Sequence, residues 1–255
     1  MVTAAIRTKA KRTLQQVLHA VGLEVKFYAP YPAHALSTLL VLYQVDTIFD
    51  IGANAGMSGQ YFRNLGFRGK IVSFEPVAAY YRQLERAAAG DPLWLTENMA
   101  IGDQNCEQEI NVSGGCGGAS SFLNTVGHIE ANNPELAVID RERVKVETLE
   151  SVIQRHYPIG ERLFLKIDAQ GYEKRILQSA TSLDRVVGMR VELSVVQSYE
   201  NEPLMSEMLS HMYGLGYRLC GVEEAWSNQR SQEVFQIDAM LFRTEKAGRT
   251  SALTS

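Results

Sequence analysis

The chain has 255 residues, 45% hydrophobic and 21% charged, with a formal net charge of −4. That is an ordinary globular composition, long enough for one α/β domain with additions or at most two small ones. The mild acidity gives no reason to expect nucleic acid as the main partner.

Cys106, Cys116 and Cys220 lie far apart without zinc-ligand spacing, and the five histidines are scattered. Reduced thiols and a cytoplasmic location are therefore expected. No apolar run approaches the roughly 20 residues of a membrane span. The first residues lack the apolar core and small-residue cleavage site of a secretion signal.

Ile6, Ala10, Leu14, Val17, Leu18 and Val21 fall at helical spacing within residues 1 to 26, and Arg7, Lys9, Lys11 and Arg12 crowd the first half. Such a helix suits a weak contact with a membrane surface or a lipid-linked acceptor. The favoured reading is a solvated basic face whose other side packs on the domain. Pro30 and Pro32 break it, and 33–43 reads as a second helix. Residues 1–44 thus form an N-terminal helical extension, 45–243 the main domain, and 244–255, small and polar, a flexible tail.

The segment 45–51 is apolar and β-prone, as expected of a strand buried on both faces, and carries Asp50 near its end. Gly52-Ala53-Asn54-Ala55-Gly56 then lets the backbone turn sharply and approach a ligand, and 57–65 reads as helix. Strand, glycine turn and helix build a nucleotide site at the carboxyl end of a first strand. The next strand, 70–75, ends in Glu75, an acid able to take both hydroxyls of a ribose. A dinucleotide fingerprint would need glycine at 54 and 57, where the chain has Asn54 and Met57. The acid before the turn suits a cationic ligand better than a pyrophosphate, which favours S-adenosylmethionine over NAD(P). An NAD(P)-dependent oxidoreductase is the alternative.

Strands and helices alternate from residue 45 onward, so a mostly parallel sheet is expected. A helix spans 77–89 and a third strand 93–100, in which Asn98 either bonds the edge of an adenine or caps the turn. The segment 108–112 reads as strand. Ser113 to Ser121 is too glycine-rich for the interior of an element, and a polar stretch continues to Asp140; a lid or binding loop and a plain surface excursion are the two readings. A short strand (144–149) and a helix (150–156) follow.

Strand 163–168 places Lys166 and Asp168 on one face. A fourth parallel strand would lie beside the first, with its terminal acid facing the ligand crevice. Asp168 and Gln170 are the main candidates beside the reacting group, although Asp168 would also serve as a helix cap. Lys166 is read as the partner of an acid. Glu192, near the end of strand 186–195, falls at the same rim. Residues 197–203 supply polar groups for a hydroxylated acceptor. A helix (204–215) ends at Gly216. Strands 217–222 and 235–242, joined by a polar loop containing Trp226, are expected to form an antiparallel hairpin.

FDIGANAG at 49–56, SFEP at 73–76, NMAIGD at 98–103, Ser120-Ser121, VKVETL at 144–149, LKIDAQGYE at 165–173, VELS at 191–194 and QIDAMLFR at 236–243 together resemble the FkbM family of adenosylmethionine-dependent methyltransferases. The FEP and KID-x-QG-x-E pieces at this separation are the specific ones; Ala55 stands where the family usually has valine or isoleucine. The resemblance implies a class I methyltransferase fold, Rossmann-like, with a seven-stranded mostly parallel sheet whose last strand is antiparallel. It implies S-adenosylmethionine as cofactor and S-adenosylhomocysteine as product. It also implies cofactor contacts from Asp50, Gly52, Asn54, Gly56, Ser58, Glu75, Pro76, Ser121 and Asp168, with Asn98 or Ala100 near the adenine.

The implied reaction is O-methylation of a sugar, a glycan or lipopolysaccharide unit, or a secondary metabolite, with N-methylation as the alternative. The transfer must hold nucleophile, carbon and sulfur collinear. A hydroxyl acceptor also needs its proton removed, by Asp168 or Glu192 with a pKa raised by burial, or with a divalent metal held by Asp168, Glu192 and an acceptor diol. The metal-free version is the expectation. Expected partners are a small-molecule or glycan acceptor and no nucleic acid, and a homodimer is compatible with the chain.

Overall fold

The computed structural model describes residues 31–115, 118–127, 133, 136–160, 162–227 and 232–244. The basic helix expected over 1–26, Cys116, part of the polar stretch (128–132, 134 and 135) and nearly all of the expected tail lie outside the described residues.

Helix α1 (Tyr31–Leu42) leads into β1 (Thr47–Ile51). Then come α2 (Met57–Asn64), β2 (Lys70–Phe74), α3 (Ala78–Ala88) and β3 (Trp94–Glu97). Next are β4 (Ala100–Gly102), β5 (Cys106–Ser113), β6 (Val138–Thr148) and α4 (Leu149–His156). The chain continues through β7 (Leu163–Ile167), α5 (Glu173–Gln178), β8 (Val186–Ser194) and α6 (Met205–Gly214). It closes with β9 (Tyr217–Ser227) and β10 (Val234–Arg243). No helix among the described residues is long and apolar enough to cross a membrane.

Seven strands form one sheet in the order β3-β2-β1-β7-β8-β10-β9. The neighbours β3, β2, β1, β7 and β8 run parallel, whereas β10 is antiparallel to both β8 and β9. The five residues of β1 and the five of β7 are all buried, because helices cover both faces. Leu36 and Leu40 of α1, Phe62 of α2 and Leu84 of α3 pack with Ile48, Ile71 and Phe164 on one side. Leu149, Val152 and Ile153 of α4, Ile176 of α5, and Met208 and Met212 of α6 pack with Phe49, Leu165 and Val191 on the other.

Two departures from the sequence reading bear on the site. The strand expected over 93–100 divides: β3 joins the main sheet, and after Asn98 and Met99 the chain bends so that β4 joins a second sheet, β4-β6-β5. In that sheet β6 runs 11 residues, well beyond the short strand expected, and pairs antiparallel with β5 across Cys106–Ser113. Its inner residues Ala100, Ile110, Val112, Val144 and Val146 form their own apolar layer. Likewise β9 continues to Ser227, so Trp226 is a strand residue and not part of the connecting loop.

Phe164 is fully buried between Phe62 and Phe242, with ring centroids 6.1 and 5.6 Å away. Phe164→Ala should destabilise the protein by about 3–5 kcal/mol, read as a fall in the urea midpoint at unchanged slope.

Candidate active site

Parallel strands β1 and β7 end side by side at the centre of the sheet, the usual place for a ligand crevice in an open α/β fold. Gly52, just past β1, has φ +73°, and a Cβ there would stand 1.9 Å from the Asp168 carbonyl oxygen. Only glycine lets the two strand ends come this close. Gly52 and Ala53 donate their N–H groups to the Phe74 carbonyl, which ties the turn to the end of β2 as well.

Behind this turn sits Lys166, buried, with Nζ donating to the Gly52 carbonyl oxygen at 2.8 Å. Its ammonium lies 3.5 Å from Asp50 Oδ1 and 3.4 Å from Asp168 Oδ2. Burial alone would lower its pKa; the carboxylates of Asp168 and Asp50 outweigh that and hold it above the ordinary lysine value. Asp50 is fully buried, accepts from Ser73 Oγ at 3.0 Å, and is pushed up by burial against the pull of Lys166 and Ser73.

A cavity of about 620 Å³, open to solvent, lies over these strand ends. Gly52, Asn54, Glu75, Pro76, Ala100, Ser121, Asp168 and Gln170 line it, together with apolar walls from Ile101, Phe122 and Tyr172. Asn54 takes φ +47°, a conformation asparagine tolerates, and its backbone N–H donates to Glu75 Oε2 at 2.8 Å. Val77 N–H donates to Glu75 Oε1 at 2.9 Å. Burial nevertheless pushes Glu75 up to about 7, against the pull of these two donors.

Not every residue marked in the sequence reaches the cavity. Asp50 lies beneath it, as described. Gly56, at φ +89°, caps α2 and faces Leu84 and Ala87 of α3; Ser58 is half-buried on α2; neither lines the cavity. Asn98 is exposed, and its amide nitrogen donates to the carbonyls of Glu75 and Pro76 at 2.9 Å each. It therefore clamps the turn after β2. Ala100, in β4, lines the cavity wall.

A second chamber of about 800 Å³ shares Gly118, Asp168 and Gln170 with the first. Glu192, Ser198, Tyr199, Trp226 and Gln236 complete its polar and aromatic lining. Gln170 stands at the junction, at φ +52°, with its carbonyl oxygen accepting from Ser121 Oγ at 2.7 Å. Its amide nitrogen donates to Asp168 Oδ1 at 2.7 Å and to Glu192 Oε2 at 2.5 Å, and so fills the space between the two carboxylates. Gln236 donates to the same Glu192 oxygen at 3.0 Å. Burial, with Asp168, Asp238 and Glu173 nearby, raises Glu192 well above the ordinary glutamate value. The loop itself is braced by Glu173, whose Oε1 accepts from the N–H groups of Ala169 and Gly171; burial pushes that acid up to about 7.

Tyr172 and Gln236 fall within the motif segments 165–173 and 236–243, which by themselves give neither residue a role. The rim segment 197–203, which the sequence marks as polar groups for an acceptor, brings Ser198 and Tyr199 to the second chamber, and Trp226, expected in a loop, joins them. Nothing in local sequence assigns them to a chamber, since the chamber is assembled by β10 inserting between β8 and β9.

The strand order, with β10 alone reversed, and a cavity at the carboxyl ends of the inner strands define a class I methyltransferase fold. The family profile described as Methyltransferase FkbM domain matches residues 50–219. The chain belongs to that family and is an S-adenosylmethionine-dependent methyltransferase.

The chain is similar to the crystal structure of an FkbM methyltransferase from Methylobacillus flagellatus (12% identity, TM-score 0.49, covering 78% of this chain), and it spans only 43% of that protein. It is also similar to a putative O-methyltransferase from Klebsiella pneumoniae (12% identity, TM-score 0.44, 91% of this chain and 89% of the other). An O-methyltransferase from Bacillus cereus in complex with S-adenosylhomocysteine aligns with TM-score 0.43 at 12% identity, over 91% and 90% of the two chains. No curated protein matches by sequence.

Lys166→Met would leave Asp50 buried without its counter-charge, a loss of about 3–5 kcal/mol near pH 8. Asp50, already pushed up, then binds its proton more readily in the folded than in the unfolded state. Stability of the variant should therefore recover as the pH falls. Urea unfolding of both proteins at pH 5 and pH 8 measures the difference.

Proposed function

We propose that the enzyme transfers a methyl group to a hydroxyl oxygen of a sugar, a glycan or lipopolysaccharide unit, or a secondary metabolite. The observation that carries this reading is the meeting of two chambers at Asp168 and Gln170, with a carboxylic acid of raised pKa, Glu192, on the far side.

The first chamber fits the cofactor. Gly52, where a Cβ would collide with the Asp168 carbonyl, lets the turn after β1 close onto the end of β7, so that both border the chamber. Glu75 offers a carboxylate to ribose hydroxyls, and Ile101, Phe122 and Tyr172 supply apolar surface for a base. When bound, S-adenosylmethionine supplies an electrophilic methyl carbon on a sulfonium. Asp168 provides negative charge where the two chambers join, which helps hold a cation.

Glu192 is placed to accept the acceptor proton. Burial raises its affinity for a proton, which makes it a stronger general base than an ordinary carboxylate. A neutral amine needs no such base, so the acids around Asp168 support oxygen as the nucleophile. The same acids disfavour a polyphosphate acceptor, in keeping with a partner other than nucleic acid. Gln170 holds both carboxylates through its amide, which supports a reaction without a divalent metal. Free Cys106 and Cys220 support a reducing, cytoplasmic setting.

A mass-spectrometric screen of hydroxylated acceptors with isotopically labelled donor tests the reading: one labelled methyl should appear on an oxygen. Transfer to nitrogen alone would overturn it. Asp168→Asn and Glu192→Gln should each lower turnover at least 100-fold while S-adenosylhomocysteine affinity, by calorimetry, stays within about three-fold.

Hydroxyl donors favour the ionised form of Glu75, so that affinity should rise as the pH passes upward through about 7. Titrations at pH 6 and pH 8 should show the rise in the unaltered protein. Glu75→Gln should bind more weakly and lose the pH dependence.

A further inference from the structure

Tyr199 belongs to the connection after β8 and is only 2% exposed. Its hydroxyl lies 2.7 Å from Gln170 Oε1 and 3.0 Å from the Ala119 carbonyl oxygen, so one phenolic hydrogen faces two acceptors. Burial, with Glu192 and Asp168 close by, raises Tyr199 well above the ordinary tyrosine value, so the hydroxyl stays protonated and stays a donor. The residue is fixed from its backbone too. It bridges Thr125, and its N–H donates to Glu202 Oε1 at 2.9 Å.

Gln170 has one oxygen and two N–H groups. Ionised carboxylates accept only, so its nitrogen must face Asp168 and Glu192 for that contact to be attractive. A donor on the oxygen side selects this orientation over the flipped one, in which the amide oxygen would confront two carboxylates. We propose that Tyr199 is a positioning residue: by donating to Gln170 it sets the amide so that Glu192 receives an N–H and is held toward its ionised, proton-accepting form. The Ala119 contact ties the same hydroxyl to the backbone between Gly118 and Ser120, which line the first cavity, so the orientation of the amide is linked to the placement of those residues.

This inference rests on the reading of Glu192 as the base, yet it is tested apart from it. The groups facing Glu192 are Asp168 and Lys166 of β7 and its end, Asp238 of β10, Glu173 of α5, and Tyr199 itself. None but Tyr199 changes in the variant. In the full chain saturated with S-adenosylhomocysteine, ¹³C NMR of glutamate carboxyls, with Glu192 assigned through Glu192→Gln, gives its titration.

Tyr199→Phe should move the Glu192 midpoint upward by about one pH unit, as expected for a weakened charge-assisted hydrogen bond. S-adenosylhomocysteine affinity should stay within about three-fold. Gln170→Met should give the same shift, and adding Tyr199→Phe to it should give no further shift. An unchanged midpoint in Tyr199→Phe, or an equal additional shift in the Gln170→Met background, would overturn the proposal.

If Tyr199→Phe does not fold, the side-chain amide of Gln170 in the unaltered protein decides. Solvent exchange of its two N–H protons slowed well below that of an exposed glutamine amide supports the proposal, and exchange as fast as an exposed amide overturns it. Normal methylation by Glu192→Gln would instead remove Glu192 as base while leaving the Tyr199–Gln170 linkage intact.

Discussion

One buried ammonium holds the centre of this molecule together. Lys166 reaches from β7 to the carbonyl of Gly52 and lies between Asp50 and Asp168. An unpaired charge at that depth would be costly, and two carboxylates plus a carbonyl are what make it tolerable. In register, Ser73, Asp50, Lys166 and Arg190 stand side by side on four adjacent strands. Trp94 Nε1 extends the row by donating to Ser73 Oγ at 2.9 Å, and Arg190 extends it the other way through Glu223 and Asp238 at 2.8 and 2.7 Å. A line of alternating polar partners therefore crosses the carboxyl end of an otherwise apolar sheet.

That line sets the charge available above it. Lys166 and Arg190 are largely consumed by Asp50, Asp168, Glu223 and Asp238. Glu192 is left buried and facing further acids, so its ionisation is costly. Amide donors from Gln170 and Gln236 oppose that cost without adding positive charge. Amides suit this position better than a lysine would, since a full cation would pull Glu192 back down toward an ordinary, weakly basic carboxylate.

The main sheet was legible because its strands are buried on both faces and separated by strong glycine and proline turns. The 45–56, 70–76 and 163–173 segments carry both the strand pattern and the chemistry, so Gly52, Glu75, Asp168 and Gln170 could be placed at a crevice before any coordinates. What could not be read was anything depending on pairing between distant segments. The bend after β3 that sends β4 to a second sheet is set by Asn98 clamping two carbonyls, a tertiary contact invisible to periodicity. Asp50 illustrates the converse. An acid after an apolar run looks like a ligand-binding group, and whether it points into the crevice or beneath it depends on a lysine 116 positions later.

The two chambers differ in where they come from along the chain. Every residue lining the first falls between Ile51 and Tyr172, inside the span matched by the family profile. The second takes Ala225, Trp226 and Gln236 from beyond residue 219, where the match ends within β9. Yet the sheet is incomplete without β10, which pairs along β8 and delivers Gln236 beside Glu192. The final hairpin therefore does two things at once: its backbone closes the sheet, while Ala225, Trp226 and Gln236 line the second chamber. Backbone pairing constrains residue type weakly, so the hairpin can close the sheet whichever side chains it presents to that chamber. Within one fold, the cavity built inside the matched span and the chamber that reaches beyond it therefore draw on different parts of the chain.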